Sequence, residues 1–157
     1  MSKENIRILI TENLFFKNFT QEEIDILVNN SAFVSFNEGE YLLTARQEAK
    51  GFYFIIGGAL SIQLFSHEQG IVEIETVGDG EILGWSWLVS PFVYHYDAVA
   101  CEKTKALYFD AVALKKEMVI NHEFGYKIYK LFMPVVVERL QASRVSILGI
   151  YEKNFNI

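Results

Sequence analysis

The placement of glycine constrains the fold of this 157-residue chain more than any other sequence feature. Eight of its ten glycines lie between Gly39 and Gly84, where they punctuate short apolar segments. Glycine adopts the positive φ angles that tight turns between strands require. Short strands joined by tight turns are typical of a β-barrel or a double-sheet jelly roll, in which closure protects the strand edges.

Hydrophobic periodicity supports this interpretation. From about Ala32 to Phe109 the pattern has a period of two, as a strand requires. In residues 72–76, for example, Glu73 and Glu75 alternate with less polar residues, which predicts a strand with one face in water. The sequence therefore predicts a mainly β domain in which a β-barrel or double-sheet jelly roll is flanked by helices.

Helical periodicity lies on both sides of the strands, so we expect a single domain over the whole chain. It comprises N-terminal helices in residues 1–31, the β-roll in 32–109 and C-terminal helices in 110–157. The second N-terminal helix should open with a capping box, in which the Thr20 hydroxyl reaches forward and the Glu23 carboxylate reaches back. Chains of this length bury one sizeable core and leave little room for a second module.

The last helical segment, which Asp110 and Asn121 can cap and Pro134 should kink or split, carries two apolar stripes. They are Phe124, Ile128, Leu131 and Val135 in one stripe and Phe132, Val136, Leu140 and Ile147 in the other. A surface helix needs only one stripe to pack on its own domain. The second stripe favours a homodimer through this helix. The alternative is one broad intramolecular contact.

Composition excludes several classes of protein. A net charge of -6 and a pI near 5.1 argue against a nucleic-acid-binding face, and only six residues follow Tyr151. No apolar run is long enough to cross a bilayer. The single cysteine, Cys101, excludes an intramolecular disulfide, and we expect its thiol to be buried at the end of a strand. We therefore expect a cytoplasmic protein that contacts neither nucleic acid nor membrane directly.

Four segments in the strand-rich region, taken in order, point to a known family. They are Gly39-Glu40-Tyr41-Leu42, the run from Gly51 to Ile62, the run from Gly78 to Gly84, and Ala98-Val99-Ala100. Together they resemble the cyclic-nucleotide-binding domain of the catabolite activator and protein kinase A regulatory families. The resemblance spans roughly residues 15–148. It implies a β-roll with a long C-terminal helix and a role in signal transduction.

In that family a phosphate-binding cassette uses a short helix N-terminus, a glutamate for the sugar hydroxyl and an arginine for the cyclic phosphate. Carried over to this chain, the cassette glycine is Gly84, but Trp85 stands in the glutamate position. The arginine position falls on Tyr94 or His95, and residues 47–138 contain no arginine. The resemblance therefore predicts that cyclic nucleotide is at most a weak ligand, and we expect no bound cofactor or metal.

The candidate ligand-binding residues are those of the cassette and of the segment after it: Gly84, Trp85, Ser86, Trp87, Leu88, Tyr94, His95 and Tyr96. The nearby Asp97 should repel a phosphate. Two interpretations of the tryptophans stay open. Both rings can fill the pocket as core, or a different flat or apolar ligand can stack on Trp85.

The sequence thus predicts a non-enzymatic sensory or regulatory module with no catalytic residue. Occupancy of the cassette by a ligand or a protein partner would shift the C-terminal helix. Three alternatives remain: a receptor that holds cAMP or cGMP through backbone N–H groups, a metal-dependent cupin-type enzyme, and a purely structural partner subunit. The three histidines are far apart in sequence, which disfavours the cupin-type enzyme.

Overall fold

Two four-stranded antiparallel sheets form the body of the computed structural model, which describes residues 1–155 and their side chains as far as residue 153. The strands are β1 (Ser31–Phe36), β2 (Tyr41–Leu43), β3 (Gly51–Gly57), β4 (Ala59–Ser66), β5 (Gly70–Gly78), β6 (Ile82–Leu83), β7 (Asp97–Ala100) and β8 (Thr104–Asp110). One sheet has the order β1-β8-β3-β6 and the other β2-β7-β4-β5. The predicted β-roll is confirmed.

Four α-helices flank the sheets, together with two short 3₁₀ helices at Leu14–Phe16 and Trp85–Leu88. The α-helices are α1 (Lys3–Glu12), α2 (Gln21–Asn29), α3 (Ala111–Ile120) and α4 (His122–Phe155). The last two residues of the predicted C-terminal segment, 156–157, lie outside the described residues. The predicted flanking helices and long C-terminal helix are confirmed.

Side-chain caps explain where the helices begin. The Thr20 amide donates to the Glu23 carboxylate at 2.7 Å and the Glu23 amide donates to the Thr20 hydroxyl at 3.2 Å, which is the predicted capping box. The Asp110 carboxylate accepts two amide hydrogen bonds at the start of α3, and the Asn121 side chain accepts one from Phe124. These caps satisfy backbone donors that have no partner inside a helix.

Helix α4 continues past Pro134 as one 34-residue helix, so the expected split is not observed. Its first apolar stripe packs on the roll, with Phe124, Ile128 and Val135 buried. Phe132 was assigned to the second stripe, but it too is buried in the core. The second stripe is therefore exposed only further along the helix.

A group of aromatic rings joins the helix to the sheets. Phe52 on β3 lies nearly parallel to both Phe109 and Trp87, with ring centroids 4.7 Å and 5.5 Å apart. Phe132 on α4 meets Phe52 and Trp87 edge-on, at 4.9 Å and 5.7 Å. Such contacts contribute about 0.5–1.5 kcal/mol each beyond the burial of area. The aromatic group therefore fixes α4 relative to the segment that follows Gly84.

Two expectations about single residues are wrong. Cys101 is exposed because β7 ends at Ala100 and the chain turns there. Glu75 does not lie on a wet face, because a β-bulge between Ile62 and Gln63 places Glu75 opposite Ile62 in the paired strand. Its side chain is only 15% exposed.

None of the helices in residues 1–155 is long and apolar enough to cross a membrane.

Candidate functional site

The candidate site begins at a turn that only glycine adopts without strain. Gly84 has a φ angle of +98° and precedes the short helix Trp85–Leu88. A Cβ at this position would lie 3.4 Å from the carbonyl oxygen of Gly51 and from the Cα of Phe52. The turn therefore needs the positive φ and tolerates little added volume. After this turn, Ser86 and Trp87 are buried, whereas Trp85 and Leu88 stay partly exposed.

The two tryptophans of the cassette have different environments. Trp87 is fully buried within the aromatic group, and Ser86 beside it is also buried. Trp85 is partly exposed, and its ring stacks on that of His95 with centroids 5.6 Å apart and planes inclined by 28°. The structure thus combines both sequence interpretations: one ring has become core, and the other forms part of a surface cavity.

This cavity of about 330 Å³ lies between the β4–β5 face of the roll, the cassette region and α4. Its wall consists of aliphatic residues, three aromatic residues, one ion pair and a serine: Ile62, Leu64, Ile74, Glu75, Trp85, His95, Tyr96, Val136, Arg139, Leu140 and Ser143. Of the eight candidate residues, the structure brings Trp85, His95 and Tyr96 to this wall. A mostly apolar wall with few polar groups is typical of a small-molecule site.

The two tyrosines after the cassette differ in the partners of their hydroxyl groups. The buried Tyr94 hydroxyl donates to the Gly51 carbonyl at 2.8 Å, and burial raises its pKa above the ordinary value. Burial also raises the pKa of Tyr96 to about 12, while Arg139 and the nearby Gly84 amide lower it in part. Tyr94 is therefore a structural residue, whereas Tyr96 lines the cavity with a hydroxyl that donates to no acceptor within the described residues.

The candidate Leu88 and the nearby Asp97 do not line the cavity. Leu88 lines a separate surface groove beside Phe92 and α3. Asp97, which was expected to repel phosphate, accepts a hydrogen bond from the Ala45 amide at 2.7 Å. Its carboxylate therefore holds the β2–β3 connection and has a structural partner.

The main charged groups of the site were missed by the sequence analysis because they come from distant segments. Arg139 on α4 forms an ion pair with Glu75 on β5, lies 3.8 Å from a Glu81 oxygen and donates to the Ile82 carbonyl at 3.4 Å. Burial raises the pKa of Glu75, and Arg139 opposes that effect. The only signal in the sequence was that Arg139 is the first arginine after Arg46.

Three polar groups in the wall lack a protein partner. Within the described part of the chain, no acceptor is within hydrogen-bonding distance of the Trp85 indole nitrogen, the Tyr96 hydroxyl or Nε of Arg139. Each of these groups is a hydrogen-bond donor. A buried donor without an acceptor destabilises a protein by about 1–3 kcal/mol. Three residues of the wall therefore hold buried donors that the described part of the fold leaves without an acceptor.

No three side chains of His, Cys, Asp or Glu in residues 1–155 lie together in an arrangement that could hold a metal ion.

Comparison with known proteins identifies the family of this architecture. A family model described as the cyclic nucleotide-binding domain matches residues 33–121, which is more than half of the chain. A search of curated proteins finds no match. The resemblance read from the sequence is confirmed at the level of the family.

Solved structures give the same result for the fold. A protein of Geobacter metallireducens, described as cyclic nucleotide-binding, superposes with a TM-score of 0.75 at 21% identity, covering 89% of this chain and 98% of its own. A cyclic nucleotide-binding domain from Methylobacillus flagellatus gives 0.76 at 21% identity, with coverages of 94% and 83%. A triple mutant of a protein kinase A regulatory subunit from Trypanosoma brucei gives 0.62 at 16% identity, with coverages of 82% and 51%.

Proposed function

The chain belongs to the cyclic nucleotide-binding domain family, and we propose that it is a non-enzymatic sensory module whose pocket does not bind cAMP or cGMP tightly. One observation carries the proposal. Trp85 stands in the position of the family's glutamate and, stacked on His95, forms part of the wall of the cavity. Neither side chain can take the role of a sugar-binding carboxylate or of a permanently charged arginine.

The charges around the cavity also oppose a cyclic phosphate. Arg139 is the arginine of the wall, and its charge is already compensated by Glu75, with Glu81 close by. A phosphate entering here would meet two carboxylates for one guanidinium. At about 4 Å and an effective dielectric near 20, each like-charge contact is unfavourable by about 4 kcal/mol before screening. Loss of the family arginine and these repulsions both weaken cyclic nucleotide binding.

A family member supplies a precedent. The Trypanosoma brucei protein is described as the regulatory subunit of a cAMP-independent protein kinase A. Its triple mutant, in which one change replaces a threonine by arginine, is described as bound to cAMP. By analogy, we infer that loss of the cassette arginine in this chain also separates the regulatory fold from cyclic nucleotide binding.

The same proposal includes a homodimer through α4. Five apolar residues on this helix are each at least 45% exposed and follow one another at intervals of seven, four, three and seven: Tyr126, Met133, Val137, Leu140 and Ile147. This spacing is typical of a coiled-coil seam, and the same stripe on a second copy is the surface that complements it.

Leu140 connects the two features, because it lies both in the stripe and in the cavity wall. A ligand that moves Leu140 and Arg139 would therefore change the dimer contact, which is how occupancy would be transmitted. In this proposal the protein is cytoplasmic and acts through another protein or its own assembly, without direct contact with nucleic acid or membrane.

A gain-of-binding experiment tests the proposal. The double variant Trp85→Glu/His95→Arg introduces the family's glutamate and, at the candidate arginine position that lines the cavity, its arginine. It adds one negative and one positive charge, so the net charge is unchanged. Equilibrium dialysis with labelled cAMP should show at least about tenfold tighter binding to the double variant than to the wild type. Wild-type binding as tight as that of the variant would contradict the proposal.

A further inference from the structure

The residues of the cavity wall disfavour a cyclic phosphate, and they also bear on which class of ligand the cavity accepts. We propose that the pocket takes an uncharged, flat, apolar ligand that carries a carbonyl-type hydrogen-bond acceptor, such as an aromatic ketone. This inference rests on the proposed function, because it names the ligand class of the same site. It follows from three properties of the wall: its shape and apolar surface, its balanced charge and its unused donors.

The apolar surface and the ring pair favour a flat ligand. Aliphatic side chains from β4, β5 and α4 form most of the wall: Ile62, Leu64, Ile74, Val136 and Leu140. On the cassette side, the stacked rings of Trp85 and His95 give the wall an aromatic surface. Aromatic rings pack favourably on such a surface in offset-stacked or edge-on arrangements. A cavity of about 330 Å³ is within the usual size range for small-molecule sites.

The charge balance excludes an anionic ligand. Arg139 already has Glu75 as its partner, and Glu81 lies 3.8 Å away. A carboxylate or phosphate entering the cavity would either separate this pair or remain without a cation. A cationic ligand would have to compete with Arg139 for the same carboxylates. An uncharged ligand leaves the ion pair intact and does not have to be stripped of the water around a charge.

The unused donors call for an acceptor. Three donors have no acceptor among residues 1–155: the Tyr96 hydroxyl, the Trp85 indole N–H and the Arg139 Nε–H. Tyr96 as a residue is only 9% exposed. All three groups belong to residues that line the same cavity. The three donor atoms have almost no accessible surface, so side-chain rotations must first bring them to the cavity. A carbonyl oxygen has two lone pairs and can then accept from two of them. A hydrocarbon of the same shape would leave every donor without a partner.

Three matched probes test the proposal: 2-acetonaphthone, 2-isopropenylnaphthalene and 2-naphthoate. They share the naphthalene ring and differ in carrying a carbonyl, a methylene or a carboxylate. Binding is followed by NMR on the ¹⁵N-labelled protein, whose two tryptophans give two indole N–H signals. The Trp85→Phe variant assigns these signals. We expect the ketone to bind about tenfold more tightly than either analogue. We also expect it to shift the Trp85 signal while that of the buried Trp87 stays in place.

Variants separate a specific site from adsorption. Tyr96→Phe should weaken ketone binding about three- to tenfold and leave hydrocarbon binding unchanged. Tyr108→Phe, which removes a tyrosine hydroxyl outside the cavity, should have no effect. Equal affinities for ketone and hydrocarbon, tighter binding of the carboxylate, or no binding of any probe would overturn the inference. If one of these results is obtained and the wild type also fails to bind cAMP, the proposed function is not contradicted. Micromolar cAMP binding to the wild type would instead overturn the proposed function.

Discussion

The guanidinium of Arg139 on α4 donates a hydrogen bond to the carboxylate of Glu75 on β5, so the long helix is tied to the roll across the cavity. Sixty-four positions separate the two residues in the chain. Strand β5 lies at the edge of its sheet, and this ion pair is one of its polar contacts with α4, along with the Ser146 hydroxyl on the Ile74 carbonyl. The pair therefore couples the position of the helix to the state of the cavity.

Removing the charge of Arg139 should measure this coupling. Arg139→Gln leaves Glu75 without its cation and should lower the free energy of unfolding by about 2–3 kcal/mol. We expect this loss of unfolding free energy to be smaller than that for a fully buried ion pair, because both side chains are 15% exposed. Urea unfolding followed by circular dichroism gives the value. The matched control is Arg144→Gln, an exposed arginine on the same helix, which should change stability by less than about 0.5 kcal/mol.

The two tryptophans should respond differently to truncation. Trp87→Ala removes a fully buried ring from the aromatic group and should destabilise the fold by about 3–5 kcal/mol. Trp85→Ala removes a partly exposed ring, so its effect should be less than about half as large. Thermal unfolding of the two variants compares them directly. Equal losses would show that Trp85 is core as well.

The two tyrosine hydroxyls form a second matched pair. Tyr94→Phe leaves the buried Gly51 carbonyl without its 2.8 Å donor and should lower stability by about 1 kcal/mol. Tyr96→Phe removes a hydroxyl that donates to no acceptor within the described residues, so stability should stay close to that of the wild type. Chemical denaturation of both variants provides the test. A loss for Tyr96→Phe equal to that for Tyr94→Phe would mean that the Tyr96 hydroxyl is structurally satisfied.

The raised pKa of Glu75 gives a pH dependence with a definite sign. Burial raises this pKa above 4.5. Between pH 4.5 and the folded-state pKa, Glu75 therefore keeps its proton in the folded state but has lost it in the unfolded state. The contribution of Glu75 to stability is therefore fully present below pH 4.5 and is lost as the pH rises through the folded-state pKa. The difference in unfolding free energy between wild type and Glu75→Gln should fall from pH 4.5 upward. A difference that rises over this range would contradict the assignment.

The exposed stripe of α4 predicts a dimer that a single charge disrupts. Val137→Glu places a carboxylate within the stripe and should convert the dimer to a monomer in sedimentation velocity experiments. Val145→Glu is the matched control, because it makes the same change at a residue of the same helix outside the stripe. Dissociation by both variants, or by neither, would place the contact elsewhere.

Local sequence signals predicted the fold well. The capping box at Thr20 and Glu23 and the caps at Asp110 and Asn121 depend on neighbouring residues, and all four side chains bond as predicted. The glycine turns and the period of two likewise predicted a barrel or double-sheet jelly roll of short strands, and the resemblance to the family narrowed this to a β-roll. These features are encoded within a few residues, so that one sequence is sufficient to recognise them.

The cavity could be predicted only on its cassette side, where Trp85, His95 and Tyr96 lie close together in sequence. The opposite side depends on the docking of α4, which places Arg139 next to Glu75 through long-range packing. Glu75 itself was assigned to a wet face because the bulge that leaves Ile74 of β5 unpaired depends on the register with β4 and is not visible in the alternation of β5. Cys101 was expected to be buried because the end of β7 could not be fixed to a single residue.

The most direct test of the account is calorimetric titration of the wild-type protein with cAMP and cGMP at low ionic strength, where charge effects are largest. The account predicts no saturable heat up to about 1 mM ligand, because Trp85 and His95 replace the binding side chains and Arg139 is already paired. Saturable binding near about 1 μM would contradict it and would make this chain a cyclic nucleotide receptor with a different phosphate contact.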